Sequence, residues 1–194
     1  MKQTNIAIFV SGSGTNCENI IRYFQANGHA NVAVVISNRS DAYALVRAQR
    51  LGVQTKVISK AQLQNESLVM SVMDEFHIDF IVLAGFLLMI PAYLIKAFPN
   101  KMINLHPALL PKFGGKGMWG HHVHEAVKEA GETVTGMTVH YVSEVCDGGK
   151  IIAQFTTPIS PMDTPDDIAE KEHELEMRYF PQVIDRLLGE INAL

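Results

Sequence analysis

Short apolar segments alternate with amphipathic segments through the first half of the sequence, and this alternation limits the folds that the chain can adopt. Residues 5–10 and 32–36 are apolar runs of the kind found in strands buried on both faces, and residues 53–58 are predicted to form a third strand. Between them, residues 17–27 and 42–50 carry apolar side chains at helical spacing. This order predicts a parallel sheet with helices on both faces.

The later segments continue this pattern and then change it. The further predicted elements are a helix at 63–76, a strand at 79–83, a short helix at 91–97, a strand at 102–105, a helix at 122–130, extended segments at 133–142 and 150–158, and a long helix at 165–191. The two extended segments indicate an antiparallel pair, and Pro181 should kink or break the last helix. We predict an α/β fold: a doubly wound, mostly parallel Rossmann-like sheet with an antiparallel C-terminal strand pair and a long C-terminal helix.

The size and charge of the chain exclude several classes of protein. Its 194 residues fit one domain, which is large enough to bury a hydrophobic core without disulfide bonds or a structural metal ion. The formal net charge is -4 and lysines and arginines form no run, so the charge pattern gives no support for binding nucleic acid or an anionic membrane.

Cysteine usage and the apolar segments indicate the compartment. The two cysteines, Cys17 and Cys146, make no disulfide framework, which favours a reducing environment. The N-terminus shows no signal-peptide pattern. The most apolar stretch, residues 80–95, is interrupted by Gly85 and Pro91 and is shorter than the roughly 20 residues of a membrane span. We therefore expect a cytoplasmic protein.

The sequence Asn-Leu-His-Pro-Ala-Leu-Leu-Pro at 104–111 is the first candidate for chemistry. Asn104 and His106 lie two residues apart, so they point to the same side of an extended backbone. Pro107 and Pro111 then hold the following loop stiffly. A donor pair fixed at the exit of a strand suits chemistry on a carbonyl group. The alternative is that both side chains only form hydrogen bonds within the loop.

A second candidate, Ser-Gly-Ser-Gly-Thr-Asn at 11–16, lies between a predicted strand and a helix. Its two glycines allow a tight turn, so backbone N–H groups and the helix N-terminus can face a phosphate. It is not a dinucleotide fingerprint, because Cys17 occupies the third glycine position. A phosphate of a small monophosphate substrate is favoured over a turn needed only for packing.

Asp147 is a third candidate, in the Asp-Gly-Gly turn at 147–149. A carboxylate near His106 would favour the imidazolium and could relay a proton. Asp-Gly is also a strong hairpin signal, so Asp147 could merely shape the turn.

The remaining reactive residues carry weaker signals. His121, His122 and His124 invite a metal interpretation. His122 and His124 could both ligate a metal only on an extended segment, whereas they are predicted to lie at the start of a helix, and no third ligand that could join these two is evident at suitable spacing. Cys17 and Cys146 have no base in their motifs, so nucleophilic catalysis is disfavoured. Residues 83–90 fit a core segment, part of which could line a slot for a flat apolar ligand.

Together these motifs resemble the phosphoribosylglycinamide formyltransferases, folate-dependent enzymes of purine biosynthesis. The resemblance covers nearly the whole chain. It rests on Ser-Gly-Ser-Gly-Thr-Asn at 11–16, Leu-Ala-Gly-Phe at 83–86, Asn-Leu-His-Pro-Ala-Leu-Leu-Pro at 104–111, Gly-Met-Thr-Val-His at 136–140 and Asp-Gly-Gly at 147–149.

The resemblance implies roles for individual residues. His106 would be the general acid, Asn104 would bind the formyl oxygen, and Asp147 would hold and charge the histidine. The implied ribonucleotide-binding residues are Gly12, Ser13, Gly14, Thr15, Asn16 and Glu176. The implied folate-binding residues are Leu87, Leu88, Met89, Ile90, Asn104, Ser143, Val145 and Asp147. A phosphate-binding half at about 1–100 and a folate-binding, catalytic half at about 101–194 would form one domain.

The resemblance also implies the substrates. They are phosphoribosylglycinamide and the co-substrate 10-formyltetrahydrofolate. We expect no tightly bound cofactor and no metal, and we expect the protein to be a monomer or a homodimer. Relatives often carry serine where Ala108 stands and arginine after the Gly-Phe pair, where this chain has Leu87-Leu88-Met89. A formyltetrahydrofolate hydrolase and a non-catalytic nucleotide-binding module remain as alternatives. A methionyl-tRNA formyltransferase is a weaker one, because a further domain and a basic surface are not evident.

Overall fold

The computed structural model describes residues 3–192, and within this range the chain forms seven strands and six α-helices. In chain order they are β1 Thr4–Val10, α1 Thr15–Asn27, β2 Ala30–Ser37, α2 Tyr43–Arg50, β3 Gln54–Val57, α3 Glu66–Glu75, β4 Phe80–Leu83, α4 Ala92–Ala97, β5 Met102–His106, α5 His121–Glu129, β6 Val134–Tyr141, β7 Ile151–Pro158 and α6 Pro165–Asn192. The strands form one mostly parallel sheet whose C-terminal strands are antiparallel, as the sequence predicts.

The chain divides into two compact units. The first comprises the chain up to Ile103 together with the residues from Ile184, and the second comprises Asn104–Val183. The single-domain interpretation stays a prediction.

The first unit is built on parallel strands in the order β3-β2-β1-β4. On the central strand, Ile8 lies opposite Val35 on one side and Val82 on the other. All three side chains are fully buried, which explains why β1, β2 and β4 are mostly continuous apolar runs rather than alternating ones.

The second unit contains the antiparallel pair, in which Met137 lies opposite Phe155 and Val139 opposite Ala153. Strand β6 is almost entirely buried, whereas β7 alternates between exposed and half-buried residues, as at the edge of a sheet. A hydrophobic cluster of the same unit consists of Ala108, Phe113, Val123, Val127, Ile159 and Ile168. This cluster supports the chain that follows β5.

Two predicted helices differ from the observed ones. Residues 63–76 do not form one helix: a 3₁₀ turn at Gln62–Gln64 precedes α3, which begins after Asn65. The Asn65 side chain accepts a hydrogen bond from the Leu68 N–H at 3.1 Å, which caps the helix. The predicted break at Pro181 is wrong, because α6 continues through it to Asn192. Buried Phe180 and Val183 flank the proline and anchor the helix by packing.

Among residues 3–192, no helix has both the length and the apolar character that crossing a membrane requires.

The cap of α3 gives a stability prediction. Asn65→Ala removes the acceptor for the Leu68 N–H, so the free energy of unfolding should fall by about 1 kcal/mol. Asn65→Asp keeps an acceptor at the same place and is the matched control. Urea unfolding of both variants measures the difference. An equal loss in both variants would contradict the assignment of this cap.

Candidate active site

Strand β5 orients the first two candidate side chains. It extends one residue beyond the predicted end, to His106, so Asn104 and His106 both lie within the strand. Because side chains alternate along a strand, both project from the same face. Asn104 is half-buried, and His106 is only 4% exposed. The strand rather than the loop therefore sets their directions.

Both ring nitrogens of His106 face polar atoms. Nε2 donates to the backbone carbonyl of Phe113 at 2.6 Å. Nδ1 lies 3.6 Å from Oδ2 of Asp147. A carbonyl oxygen only accepts, so Nε2 carries a proton in the neutral ring and Nδ1 is the nitrogen that titrates. Burial lowers the pKa of His106 below its ordinary value, although the charge of Asp147 and the Phe113 carbonyl act in the opposite direction.

Asp147 lies in the turn that follows β6, in the left-handed conformation with a φ of 51°. Its Oδ2 accepts a hydrogen bond from the Gly115 N–H at 2.9 Å. Its Oδ1 lies 3.5 Å from His140 Nε2. Burial would raise the pKa of Asp147, but the hydrogen bond from the Gly115 N–H and the charge of His106 hold this pKa below the ordinary value. Asp147 is therefore an ionised carboxylate beside His106, the proximity that the sequence alone could not establish.

His140 is a site residue to which the sequence analysis gave no role. Its Nδ1 donates to the Tyr141 carbonyl at 2.9 Å, and its Nε2 accepts from the Asn104 side-chain amide at 3.1 Å. This contact fixes the orientation of the amide and leaves its second N–H available to another acceptor. The available signal was the Gly-Met-Thr-Val-His motif at 136–140, which ends on this residue.

Side chains of β6 and β7 hold the segment that follows His106. The Thr138 hydroxyl donates to the Ala108 carbonyl at 2.6 Å and accepts from the Leu110 N–H at 3.1 Å. Gln154 donates to the Leu110 carbonyl and to the Thr138 hydroxyl, both at 3.0 Å. The segment is fixed by hydrogen bonds in addition to its prolines.

The candidate phosphate loop belongs to the first unit and connects β1 to α1. The helix begins at Thr15, and Gly14 has a left-handed φ of 77°. A Cβ at Gly14 would collide with Ala44, so this position requires glycine. Gly12 and Ser13 are exposed. Exposed backbone at the start of a helix can accept an anion.

An arginine outside the motif supports this loop. Arg47 of α2 donates from Nε to the Ser13 carbonyl at 2.9 Å and pairs with Glu18 of α1. The Ser11 hydroxyl accepts from the Leu87 N–H at 2.9 Å, which connects the loop to the segment Leu87-Leu88-Met89-Ile90 of the same unit. Sequence reasoning did not identify Arg47, because its contact depends on the packing of α2.

Apart from Asn104 on β5, the candidate folate-binding residues occupy two separate segments. In the first unit, Leu87 and Met89 are each 53% exposed, whereas Ile90 is buried. In the second unit, Val145 is 68% exposed and Ser143 accepts a hydrogen bond from its N–H at 3.3 Å. Exposed apolar side chains on both segments are available to a ligand, and their role stays a prediction.

Glu176 lies on α6 in the second unit and is buried. Its Oε2 lies 3.1 Å from His173 Nδ1, and this hydrogen bond raises the pKa of His173. One turn earlier, fully buried Glu172 contacts His124 Nδ1 at 2.8 Å and accepts from the Thr135 hydroxyl. Burial raises the pKa of Glu172.

The histidine cluster is engaged with carboxylates rather than gathered around a shared centre. His121 and His122 both contact Glu125, and His124 contacts Glu172. Within residues 3–192, no group of three or more histidine, cysteine, aspartate and glutamate side chains is arranged to hold a metal ion.

The two thiols are poor nucleophiles. Burial raises the pKa of Cys17 to about 12. Burial and the adjacent charge of Asp147 raise the pKa of Cys146. The neutral thiol is therefore the stable form of both side chains.

Comparison with known proteins shows the family to which the chain belongs. A family model described as formyl transferase matches residues 4–184. A chloroplastic phosphoribosylglycinamide formyltransferase of Arabidopsis thaliana is 34% identical over 195 residues, which cover 97% of this chain and 67% of the relative. The phosphoribosylglycinamide formyltransferase of Haemophilus influenzae is 34% identical over 184 residues, with coverage of 92% and 84%.

A solved structure agrees with these matches. Glycinamide ribonucleotide transformylase 1 of Symbiobacterium toebii has a TM-score of 0.88 at 32% identity, covering 97% of this chain and 89% of that one. Other relatives are longer: the chain spans 62% of the Vigna unguiculata relative and 18% of the human trifunctional purine biosynthetic protein. Fold and matches together define a formyltransferase. The chain belongs to the phosphoribosylglycinamide formyltransferase family, folate-dependent enzymes whose formyl transfer serves purine biosynthesis.

The burial of His106 gives a prediction about stability and pH. The folded-state pKa of His106 lies below the ordinary 6.5, so the unfolded chain takes up this proton at higher pH than the folded protein does. The contribution of neutral His106 to the free energy of unfolding is therefore fully present above about pH 6.5. It is lost as the pH drops from there toward the pKa of His106 in the folded protein. In His106→Gln, the free energy of unfolding should depend less on pH, by up to about 1.4 kcal/mol per pH unit.

Urea unfolding between about pH 5 and 7 measures this difference. His122→Gln is the control, because its imidazole is exposed. The same pH dependence in wild type and His106→Gln would show that burial does not depress this pKa.

Proposed function

We propose that the protein transfers the formyl group of 10-formyltetrahydrofolate to the primary amine of 5'-phosphoribosylglycinamide. The observation that carries this proposal is the constellation of Asn104, His106 and Asp147 within one unit. It combines an amide donor, a titrating imidazole and an ionised carboxylate. Membership of the formyltransferase family supports the same reaction.

The chemistry has one bond-forming and one bond-breaking step. The substrate amine attacks the formyl carbon, a C–N bond forms, and negative charge develops on the formyl oxygen. The free N–H of Asn104 and the protonated His106 are the proposed donors to that oxygen. Preorganised donors of this kind contribute about 3 kcal/mol each to transition-state stabilisation.

Collapse of the intermediate breaks the bond between the formyl carbon and the folate nitrogen. His106 gives its Nδ1 proton to the departing nitrogen, and the attacking amine returns a proton to Nδ1, directly or through water near Asp147. The low pKa of the free His106 is compatible with this role, because negative charge on the formyl oxygen favours the imidazolium as the reaction proceeds. These steps require no metal and no covalent intermediate with the protein.

Binding of the two substrates is proposed for the remaining candidate residues. The loop Gly12-Ser13-Gly14-Thr15-Asn16 would bind the ribonucleotide phosphate through backbone N–H groups at the start of α1. Glu176 would contact the ribonucleotide. The segments at 87–90 and 143–147 would hold the pterin, with Leu87, Met89 and Val145 supplying apolar surface.

The compartment and the assembly stay predictions. We propose that the protein is a monomer or homodimer and lies in the cytoplasm; the cysteine usage, which favours a reducing environment, supports the compartment. The Arabidopsis thaliana relative is a chloroplastic protein.

Single substitutions test the catalytic assignments. His106→Ala and Asp147→Asn should each lower kcat by roughly 100- to 10,000-fold with modest changes in KM, because each removes part of the proton-transfer pair. His122→Ala is the control, since it removes an exposed imidazole. The absorbance of the folate product measures turnover, and near-normal kcat in either variant would disprove that residue's assignment.

The same assay separates the proposed function from its alternatives. Product should form only when phosphoribosylglycinamide is present. Release of folate product without the ribonucleotide would indicate a formyltetrahydrofolate hydrolase. No turnover under either condition would indicate a nucleotide-binding module.

A further inference from the structure

The turn Phe113-Gly114-Gly115 contacts both members of the proposed proton-transfer pair through its backbone. The Phe113 carbonyl accepts from Nε2 of His106 at 2.6 Å, and the Gly115 N–H donates to Oδ2 of Asp147 at 2.9 Å. These two backbone groups are only two residues apart. The turn can therefore fix the position and orientation of the imidazole relative to the carboxylate.

We propose that this turn is a positioning element that confines the exchangeable proton of His106 to Nδ1, the nitrogen that faces Asp147. The inference rests on the proposed function, because the turn acts through His106 and Asp147 rather than on substrate. No side-chain atom of the turn takes part, so residue types alone do not reveal it.

Steric limits keep the turn against the carboxylate. A Cβ at Gly114 would collide with Leu110 Cδ2 and lie 3.3 Å from Asp147 Cβ. Leu110 is itself buried, which limits its movement. Gly115 has a φ of +93°, a conformation that side chains other than glycine rarely adopt. Both glycines thus serve the close approach of backbone to Asp147.

The Phe113 carbonyl selects one tautomer of His106. With its proton on Nδ1 alone, the neutral ring would place a bare Nε2 lone pair against a buried carbonyl oxygen. With the proton on Nε2, the hydrogen bond is made and Nδ1 is free to gain or lose a proton beside Asp147. The other titratable groups that act on His106 are His140 and His124, and both disfavour its charged form.

The first test reads the tautomer directly and needs no activity. Nitrogen-15 NMR of the histidine-labelled protein, at a pH where His106 is neutral, distinguishes a protonated ring nitrogen from a bare one. His106→Gln identifies the resonances by their loss. We expect a protonated Nε2 and a bare Nδ1. The opposite tautomer, or rapid exchange between the two, would overturn the inference.

The second test compares two glycines of the same loop. Gly115 and Gly117 both have a φ of +93°, and a Cβ at either meets no atom within 4 Å. Alanine therefore imposes the same backbone strain at both positions. Only the Gly115 N–H contacts Asp147, so relief of the strain in Gly115→Ala turns the donor away from the carboxylate, whereas Gly117→Ala leaves the pair intact.

We expect Gly115→Ala to lower kcat by about 100-fold, as a misplaced catalytic pair does, with KM changed by less than about threefold. Losing the N–H donor disfavours ionised Asp147, so the acid limb of its pH–activity profile should move to higher pH. Gly117→Ala should keep the wild-type kcat and profile.

Equal losses of kcat in the two variants, or an unmoved acid limb in Gly115→Ala, would overturn the positioning role. The two proposals fail separately. A wild-type protein that shows the expected tautomer but transfers no formyl group would contradict the proposed function alone. Full formyl transfer with the opposite tautomer would contradict only the positioning role.

Discussion

The ionised carboxylate of Asp147, partly removed from water, is the interaction on which the rest of the site depends. A carboxylate in such surroundings is stable only if donors and positive charge replace its lost hydration. The Gly115 N–H donates to one carboxylate oxygen, and His106, whose ring can carry a positive charge, lies near the same oxygen. The need to compensate one charge thus brings together a glycine turn and the end of β5.

The surrounding structure supplies rigidity at the places where this pair needs it. Asn104 and His106 project from a strand, and the side chains of Thr138 and Gln154 fix the chain after them by hydrogen bonds to its backbone. His140 orients the Asn104 amide. Few of these side chains would contact a substrate. Each of them nevertheless restricts the position of another side chain that is proposed to contact the substrate.

Several features were predictable from the sequence because they depend on local patterns. Buried parallel strands require continuous apolar runs, and such runs marked β1, β2 and β4. The two-residue spacing of Asn104 and His106 predicted a shared face, which holds in any extended segment. Features that depend on distant contacts were missed. The role of His140 depends on the pairing of β6 with its neighbouring strands. The contact of Arg47 with the loop depends on the packing of α2. Helix α6 continues through Pro181 because the flanking side chains are buried.

The central claim is that the formyl group passes to an amine held by this protein and not to water. Single-turnover carbon-13 NMR with formyl-labelled 10-formyltetrahydrofolate and phosphoribosylglycinamide follows the transferred atom itself. We expect the label to leave the folate and appear as an N-formyl group on the ribonucleotide. Label recovered as formate, or retained on the folate, would contradict it.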